Sequence, residues 1–496
     1  MTKLAKDLER CLLESGQAKS LIHAEIGALI GWADWENEAK LIREEMKLEK
    51  SADIRAIKYI SDGDGMDNYQ KFLASKRMAH APSGFDSGAF HGPLFPFQRF
   101  IVDRALRMGK MAVFADCGMG KTLMQLEWAH QVHARTGRQV IVAAPLAVGN
   151  QSVAEAIRFG YDATFSKRPT KDAAICITNY DSLHRFDAAD YAGIVADESS
   201  ILKGQGAMRR MIQDFVTRIP YRLACTATPA PNDYTELGNH SEFVGGLSSA
   251  EMLASYFVHD GGETSVWRLK GHARRAFWHW VASWSVFCAK PSDLGFEDEG
   301  YDLPPLRYHH HQVGGGFDAG LLFDVEAESL TERRDARRSS LKDRCEMAAS
   351  LVNESDEPWL VWCDLNAESE LLDKLIPSAI EVQGSHKDDY KSDALIGFAE
   401  GRYTDLISKP TIAGFGMNYQ HCSNMAFVGL SDSWEQIYQA VRRSWRFGQV
   451  NPVNAHVITS LAEGAVVRNI QRKDANAKAM AAELSEIARE IYAQNR

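Results

Sequence analysis

Apolar residues fall along this chain in short blocks whose spacing switches repeatedly between two periods. Between about 90 and 240, apolar runs at 111–114, 140–143, 175–178, 191–196 and 222–225 alternate with stretches of helical spacing such as 97–106 and 123–133. Short apolar runs read as buried strands, and their alternation with helices predicts a parallel sheet covered on both faces. The same alternation returns from 306 to 460. Residues 1–85 read as helical, with Ile22, Ile26 and Leu29 on one face, and the Gly/Pro/Ser-rich stretch 81–93 reads as a linker. From 461 onward Met480, Leu484, Ile487 and Ile491 form one apolar stripe, expected to fold back as a brace. Residues 241–305 break the alternation; there WRLKGHARRAFWHWVASW (267–284) places Phe277, Trp280 or Val281, and Trp284 at helical spacing.

The pattern therefore predicts an α/β chain with two tandem parallel-sheet domains, 86–240 and 306–460. It adds a helical N-terminal region (1–85), a helical insertion (241–305) and a C-terminal helical brace (461–496). Ligands of such sheets sit at the carboxyl ends of the strands, so the residues just after each apolar run are the candidates for chemistry.

After the run at 111–114 comes ADCGMGKT (115–122), then a helix-spaced stretch. Strand, glycine-bearing turn and helix are the context a phosphate cradle needs. Gly118 and Gly120 let the backbone approach phosphates, and the N–H groups at the helix start attract anions. Lys121 would reach the β- and γ-phosphates, and the Thr122 hydroxyl would ligate Mg²⁺. The run at 191–196 ends in Asp197-Glu198. One carboxylate there can hold Mg²⁺ while the next deprotonates an attacking water. More than three hundred residues later QAVRRSWRFGQ (439–449) supplies closely spaced arginines. A nucleotide site assembled from segments so far apart opens and closes as its halves move.

These segments belong to an ordered set: LFPFQ (94–98), ADCGMGKT, VAAPLAV (142–148), ITNYDSL (177–183), ADESSILK (196–203), LACTATPAPN (223–232), WLVWCD (359–364), KPTIAGFGMN (409–418) and QAVRRSWRFGQ. In content and order they resemble the superfamily-two helicases, nearest the Swi/Snf-type branch and the short helicase-like ATPases of phages and prophages. The resemblance covers roughly 90 to 460 and implies tandem RecA-like domains that hydrolyse ATP with Mg²⁺ while moving on nucleic acid, duplex DNA in this branch. It implies that Gln98 reads the adenine edge with Phe97 beside the base. Ala115, Gly118, Met119, Gly120, Lys121 and Thr122 would form the cradle, with Asp197 on Mg²⁺ and Glu198 as base. Thr226 and Thr228 would couple nucleotide state to the DNA surface, to which Pro145, Thr178, Lys203 and Lys409 are also assigned. Gly416 and Asn418 would line the cleft from the second domain, and Arg443 and Arg446 would clamp the γ-phosphate.

Three positions depart from the family pattern. Ala115 replaces the first cradle glycine, which the superfamily tolerates. Trp445 stands where histidine is common. Ser200 stands where His, Asp or Gln often links metal chemistry to the threonine segment, so coupling through that position is in question.

Composition adds bounds. With 45% hydrophobic and 25% charged residues, the chain matches ordinary globular proteins, and no apolar run approaches the ~18 residues of a membrane span. The eight cysteines are scattered without CxxC or His-Cys metal spacing, so a cytoplasmic, disulfide-free and zinc-free monomer is expected. A net charge of −10 argues mildly against a nucleic-acid binder, but a motor needs only a local basic track. Arg274 and Arg275 are candidates for such a track, alternatively a solvated face beside core aromatics. The arginine pairs in TERRDARRSSLKDR (331–344), interleaved with acids, fit a solvated helix face better. The triplet His309-His310-His311 fits a strand better than a metal site, since neighbours on a strand point to opposite faces. An RNA-directed helicase, or a non-hydrolysing scaffold that recruits a nuclease, are the rival readings. The phage-type resemblance also implies work in DNA replication, recombination or repair beside partner proteins.

Overall fold

A computed structural model describes residues 81–204, 206–260, 263–314, 338–413, 417–431, 433–460 and 463–493. All belong to the compact unit His80–Arg496. The expected N-terminal helical region up to residue 80, the arginines at 333, 334 and 337, and Gly416 lie outside the described residues.

In the first lobe, α1 (Pro96–Met108), β1 (Lys110–Ala115), α2 (Lys121–Thr136), β2 (Gln139–Ala144), α3 (Leu146–Arg158), β3 (Ala163–Phe165), β4 (Ile175–Asn179) and β5 (Tyr191–Asp197) follow in order. Then come α4 (Ala207–Val216), β6 (Tyr221–Thr226), α5 (Leu237–Phe243), α6 (Ser249–Tyr256), a hairpin of β7 (Phe257–Asp260) and β8 (Glu263–Leu269), α7 (Arg274–Trp284) and β9 (Ser285–Cys288). Seven strands form one sheet in the order β3-β4-β2-β5-β6-β1-β9, and every pairing is parallel. The strands are apolar runs because both faces are covered, and all seven residues of β5 are buried.

The second lobe comprises β10 (Leu306–Val313), α8 (Leu341–Asn353), β11 (Trp359–Cys363), α9 (Asn366–Leu375), β12 (Ala379–Val382), α10 (Asp388–Ala399), β13 (Asp405–Ser408), α11 (Pro410–Ala413), β14 (Asn424–Val428), α12 (Trp434–Val441) and β15 (Val453–Ser460). Its six strands run in the order β10-β15-β14-β11-β13-β12, again all parallel. Two tandem parallel-sheet α/β domains of the RecA-like kind are thus present. The histidine triplet lies on β10 at the sheet edge, where His311 Nε2 meets His456 Nδ1 at 2.9 Å and His309 stacks on His456. Arg344, at the start of α8, is fully buried and pairs with Glu368 at 2.7 Å.

The first lobe extends beyond the expected boundary at 240. The stretch 241–305, expected as a helical insertion, includes the β7–β8 hairpin and places β9 in the first sheet beside β1. Phe277, Trp278 and Trp284 share a core with Phe114 and Ile194. The sequence SVFC of β9 is too short for periodicity to separate a strand from a helix end. The chain's last helix, α13 (Gly464–Ala493), returns to this lobe, where Met480, Leu484 and Ile487 are buried in the same core.

Candidate nucleotide site between the two lobes

The cradle is the turn from β1 into α2. Gly118 (φ 87°) and Gly120 (φ 77°) both take left-handed backbone. A Cβ on Gly120 would stand 2.3 Å from Gln98 Nε2, and one on Gly118 would stand 3.0 Å from the Phe447 backbone nitrogen. Neither position tolerates a side chain, one for the packing within its own lobe and the other for the approach of the second lobe. Lys121 Nζ donates to the carbonyls of Ala115 (2.9 Å) and Asp116 (3.2 Å), so the ammonium sits inside the turn. Lys121 opens α2, and Thr122 is its second residue.

Gln98 is buried, and both ends of its amide are engaged: Nε2 donates to Met119 O at 2.9 Å, and Oε1 accepts from Phe95 N at 2.9 Å. It braces the cradle from α1. Phe97 is buried in the lobe core, while Phe95 is 48% exposed and lies 6.3 Å from the Phe447 ring of the second lobe. Tyr301 completes a triangle with these two aromatics, 4.6 Å from Phe447 and 6.2 Å from Phe95.

Asp197 ends β5 facing the cradle. Its Oδ1 accepts from Gln125 Nε2 at 2.7 Å, and its backbone carbonyl accepts from the Tyr180 hydroxyl at 2.7 Å. Burial raises its pKa, opposed by the Gln125 hydrogen bond and the charge of Lys121. Glu198 is the one non-glycine among the described residues with positive φ, at 51°. Such a backbone costs about 1–3 kcal/mol and persists where its surroundings enforce it, as functional sites do. Burial pushes the Glu198 carboxyl up to about 7, with Lys121 opposing and Asp197 assisting. A carboxyl near neutrality can take and return a proton. Thr226, at the end of β6, donates to Glu198 Oε2 at 3.4 Å and accepts from Thr228 N at 3.1 Å.

The second lobe closes over this from the turn that follows α12. Arg443 is buried and donates to Gln439 O (3.3 Å), Met417 O (3.2 Å) and Gln439 Oε1 (3.1 Å). Its charge is felt at the carboxylate pair, lowering the pKa of both Asp197 and Glu198. Arg446 lies against the cradle, its Cβ 3.4 Å from where a Gly118 Cβ would be. Burial lowers the Arg446 pKa and Arg443 lowers it further, against the pull of Glu155; its buried Nε has no hydrogen-bond partner among the described residues. A guanidinium so poorly compensated is a site for an anion.

The first arginine of the pair, Arg442, takes a different place. It forms an ion pair with Asp116 of the cradle, whose other oxygen accepts from the Tyr438 hydroxyl and from Cys117 N. Its guanidinium lies 4.4 Å from the Trp445 ring centre and 5.3 Å from that of Tyr438. This supplies the physical account of Trp445: it is one wall of an arginine slot. Burial works against the Arg442 charge, but Asp116, Tyr438 and Cys117 together outweigh it and hold the guanidinium well above its ordinary range. Glu435, on α12, accepts from Thr228 Oγ1 at 2.9 Å and forms an ion pair with Lys203.

Several expected positions lie apart from this cluster or are already engaged. Thr178 is fully buried, Pro145 caps α3 and Lys409 precedes α11. Asn418 is exposed and donates to Gln420 Oε1 at 3.2 Å. Arg274 and Arg275 face Glu483 and Glu490 of α13, and a guanidinium already opposite a carboxylate attracts phosphate weakly. Next to Ser200, it is Ser199 that reaches toward the threonine segment: His240 of α5 meets Ser199 Oγ at 3.4 Å and Pro229 O at 3.0 Å, held neutral by burial, which pushes its pKa down to about 4. Sequence reasoning missed Asp116, Gln125, Glu155, His240, Glu435, Tyr438 and Arg442. Gln125 had one signal, its i+4 spacing from Lys121 on α2.

No family model matches the chain, and no curated protein does. Among solved structures, the chain is similar to the Sulfolobus solfataricus SWI2/SNF2 ATPase core in complex with dsDNA, at 14% identity and a TM-score of 0.39. That match covers 82% of this chain and 98% of the other.

Proposed function

We propose that this chain is an ATP-hydrolysing motor that moves on duplex DNA. The supporting observation is geometric: the second-lobe turn that carries Arg442, Arg443 and Arg446 seats on the cradle that holds Lys121, through Arg442–Asp116 and the approach of Arg446 to Gly118, in the lobe whose β5 ends in the Asp197–Glu198 pair. The cations and helix start suit a triphosphate. Asp197 and the Thr122 hydroxyl are hard oxygen donors suited to Mg²⁺, which takes few protein ligands beside substrate phosphates; when bound, it would neutralise phosphate charge. Lys121 would exchange the carbonyls of Ala115 and Asp116 for phosphate oxygens. Glu198 would orient water and accept its proton, while Arg446 gains the partners its guanidinium lacks. Arginines carried on the second lobe complete the site only on closure, so hydrolysis and lobe motion are one cycle. The ordered motif blocks carry the DNA assignment, and tracking along a backbone implies low sequence specificity.

ATP turnover measured with duplex DNA, single-stranded DNA and RNA tests this reading. Duplex should stimulate most, and Lys121→Ala should abolish turnover in a folded protein. Stimulation by RNA alone would move the assignment to an RNA helicase; no turnover with any of the three would leave a scaffold.

A further inference from the structure

Helix α12 begins with Ser433 as its cap, the hydroxyl accepting from Gln436 N at 3.4 Å. Glu435 stands in its first turn, where the helix dipole favours negative charge. Glu435, Tyr438, Gln439 and Arg442 follow at i, i+3, i+4 and i+7, hence on one face. All four meet the first lobe. Glu435 takes Thr228 and Lys203, Tyr438 and Arg442 take Asp116, and Gln439 Oε1 accepts from Cys117 Sγ at 3.5 Å. One rigid face thus touches both sides of the cleft, the cradle at one end and the threonine turn at the other. From Glu435 the hydrogen bonds continue through Thr228 and its N–H to Thr226, and from Thr226 to Glu198. Glu435 itself is only 9% exposed, so its buried oxygens rely on these partners for hydrogen bonding.

We infer that Glu435 is a positioning residue for hydrolysis: docked on Thr228 and Lys203, it fixes the turn that orients Glu198, and it does so only when the lobes are closed. The inference rests on the proposed ATPase reading and names a part for a residue outside the cradle, the carboxylate pair and the arginine clamp. Water is activated only after the second lobe has arrived, which guards against hydrolysis by an open, unproductive site.

The test is steady-state ATP turnover of full-length Glu435→Ala, Glu435→Gln, Thr228→Val and the double variant Glu435→Ala/Thr228→Val, each checked for folding by thermal melting. A misplacement of roughly 1 Å at a reacting group costs about a hundredfold. Glu435→Ala and Thr228→Val should therefore each lower kcat by about ten- to a hundredfold with the ATP KM little changed. Glu435→Gln, which keeps an acceptor for Thr228, should recover most of kcat. Because both residues act along one path, the double variant should be no worse than the weaker single. Lys203→Met removes only the second arm and gives a smaller loss. A wild-type kcat in Glu435→Ala, a loss confined to KM, or single losses that multiply in the double variant would each overturn the inference while leaving the ATPase reading intact. Should Glu435→Ala fail to fold, Thr228→Val and Glu435→Gln carry the test from both lobes. A wild-type protein without turnover would refute the functional reading and the inference with it.

Discussion

Removing Asp116 should do more damage than its place in a loop suggests. Its side chain is 12% exposed and that of Arg442 is 10% exposed, so the pair is close to fully desolvated. Asp116→Ala leaves a guanidinium between the rings of Tyr438 and Trp445 with no carboxylate. Breaking a buried pair from one side costs about 3–5 kcal/mol, and the two rings, which flank Arg442 before and after the substitution, do not change that difference. The lobes have an alternative to bearing that cost: they part and let Arg442 hydrate. At the low end, ~3 kcal/mol would then raise the open-to-closed ratio about 150-fold, since each 1.36 kcal/mol is a factor of ten. Hydrogen exchange measured by mass spectrometry should report it as faster exchange in the segments that meet across the cleft: the cradle, the threonine turn around Thr228, and 435–449. Asp116→Ala/Arg442→Met places an apolar chain of similar length in the slot and should restore much of the lost protection. The reasoning fails if Asp116→Ala exchanges like wild type, or if the double variant is as open as the single.

Arg446 and His456 each support one further prediction. Arg446→Lys should be nearly as inactive as Arg446→Ala while ATP binding persists, because a planar fork and not charge alone grips phosphate, and such arginines contribute about a thousandfold or more to turnover; a fully active lysine variant would leave Arg443 alone as the finger. His456, half-buried between His309 and His311, is held neutral by burial and by those neighbours, its pKa pushed down to about 4. The unfolded chain therefore binds a proton that the folded one refuses, so the contribution is absent above pH 6.5 and stability falls as pH drops from 6.5 toward 4. In denaturant titrations across that window, His456→Gln should flatten the slope, and an unchanged slope would refute the assignment.

The parts of this architecture that local chemistry demands were legible in the sequence. A turn that wraps a phosphate needs glycine where the backbone is left-handed, so Gly118 and Gly120 stood out in the string. Buried parallel strands must be apolar throughout, so β1, β2, β4, β5 and β6 did as well. The clasp of α12 was not legible: Glu435, Tyr438, Gln439 and Arg442 are polar residues at helical spacing, which in a string look like any solvated face. Their partners lie 207 to 326 residues away, and no spacing rule spans that distance. The partners of Arg274 and Arg275 were hidden for the same reason, because the carboxylates that face them come from α13. The strand β9 was missed because four apolar residues carry too little period.

The return of α13 to the first lobe also sets an order of events during synthesis. The first sheet is complete in sequence at Cys288, yet its core includes Met480, Leu484 and Ile487. Ribosomes add roughly 5–20 residues per second, so about 200 further residues take on the order of 10–40 s. For that interval the nascent first lobe exposes the apolar seat of a helix not yet made, and the second lobe is translated in the meantime. Chaperones have their opportunity there, and the first lobe finishes folding only when α13 emerges.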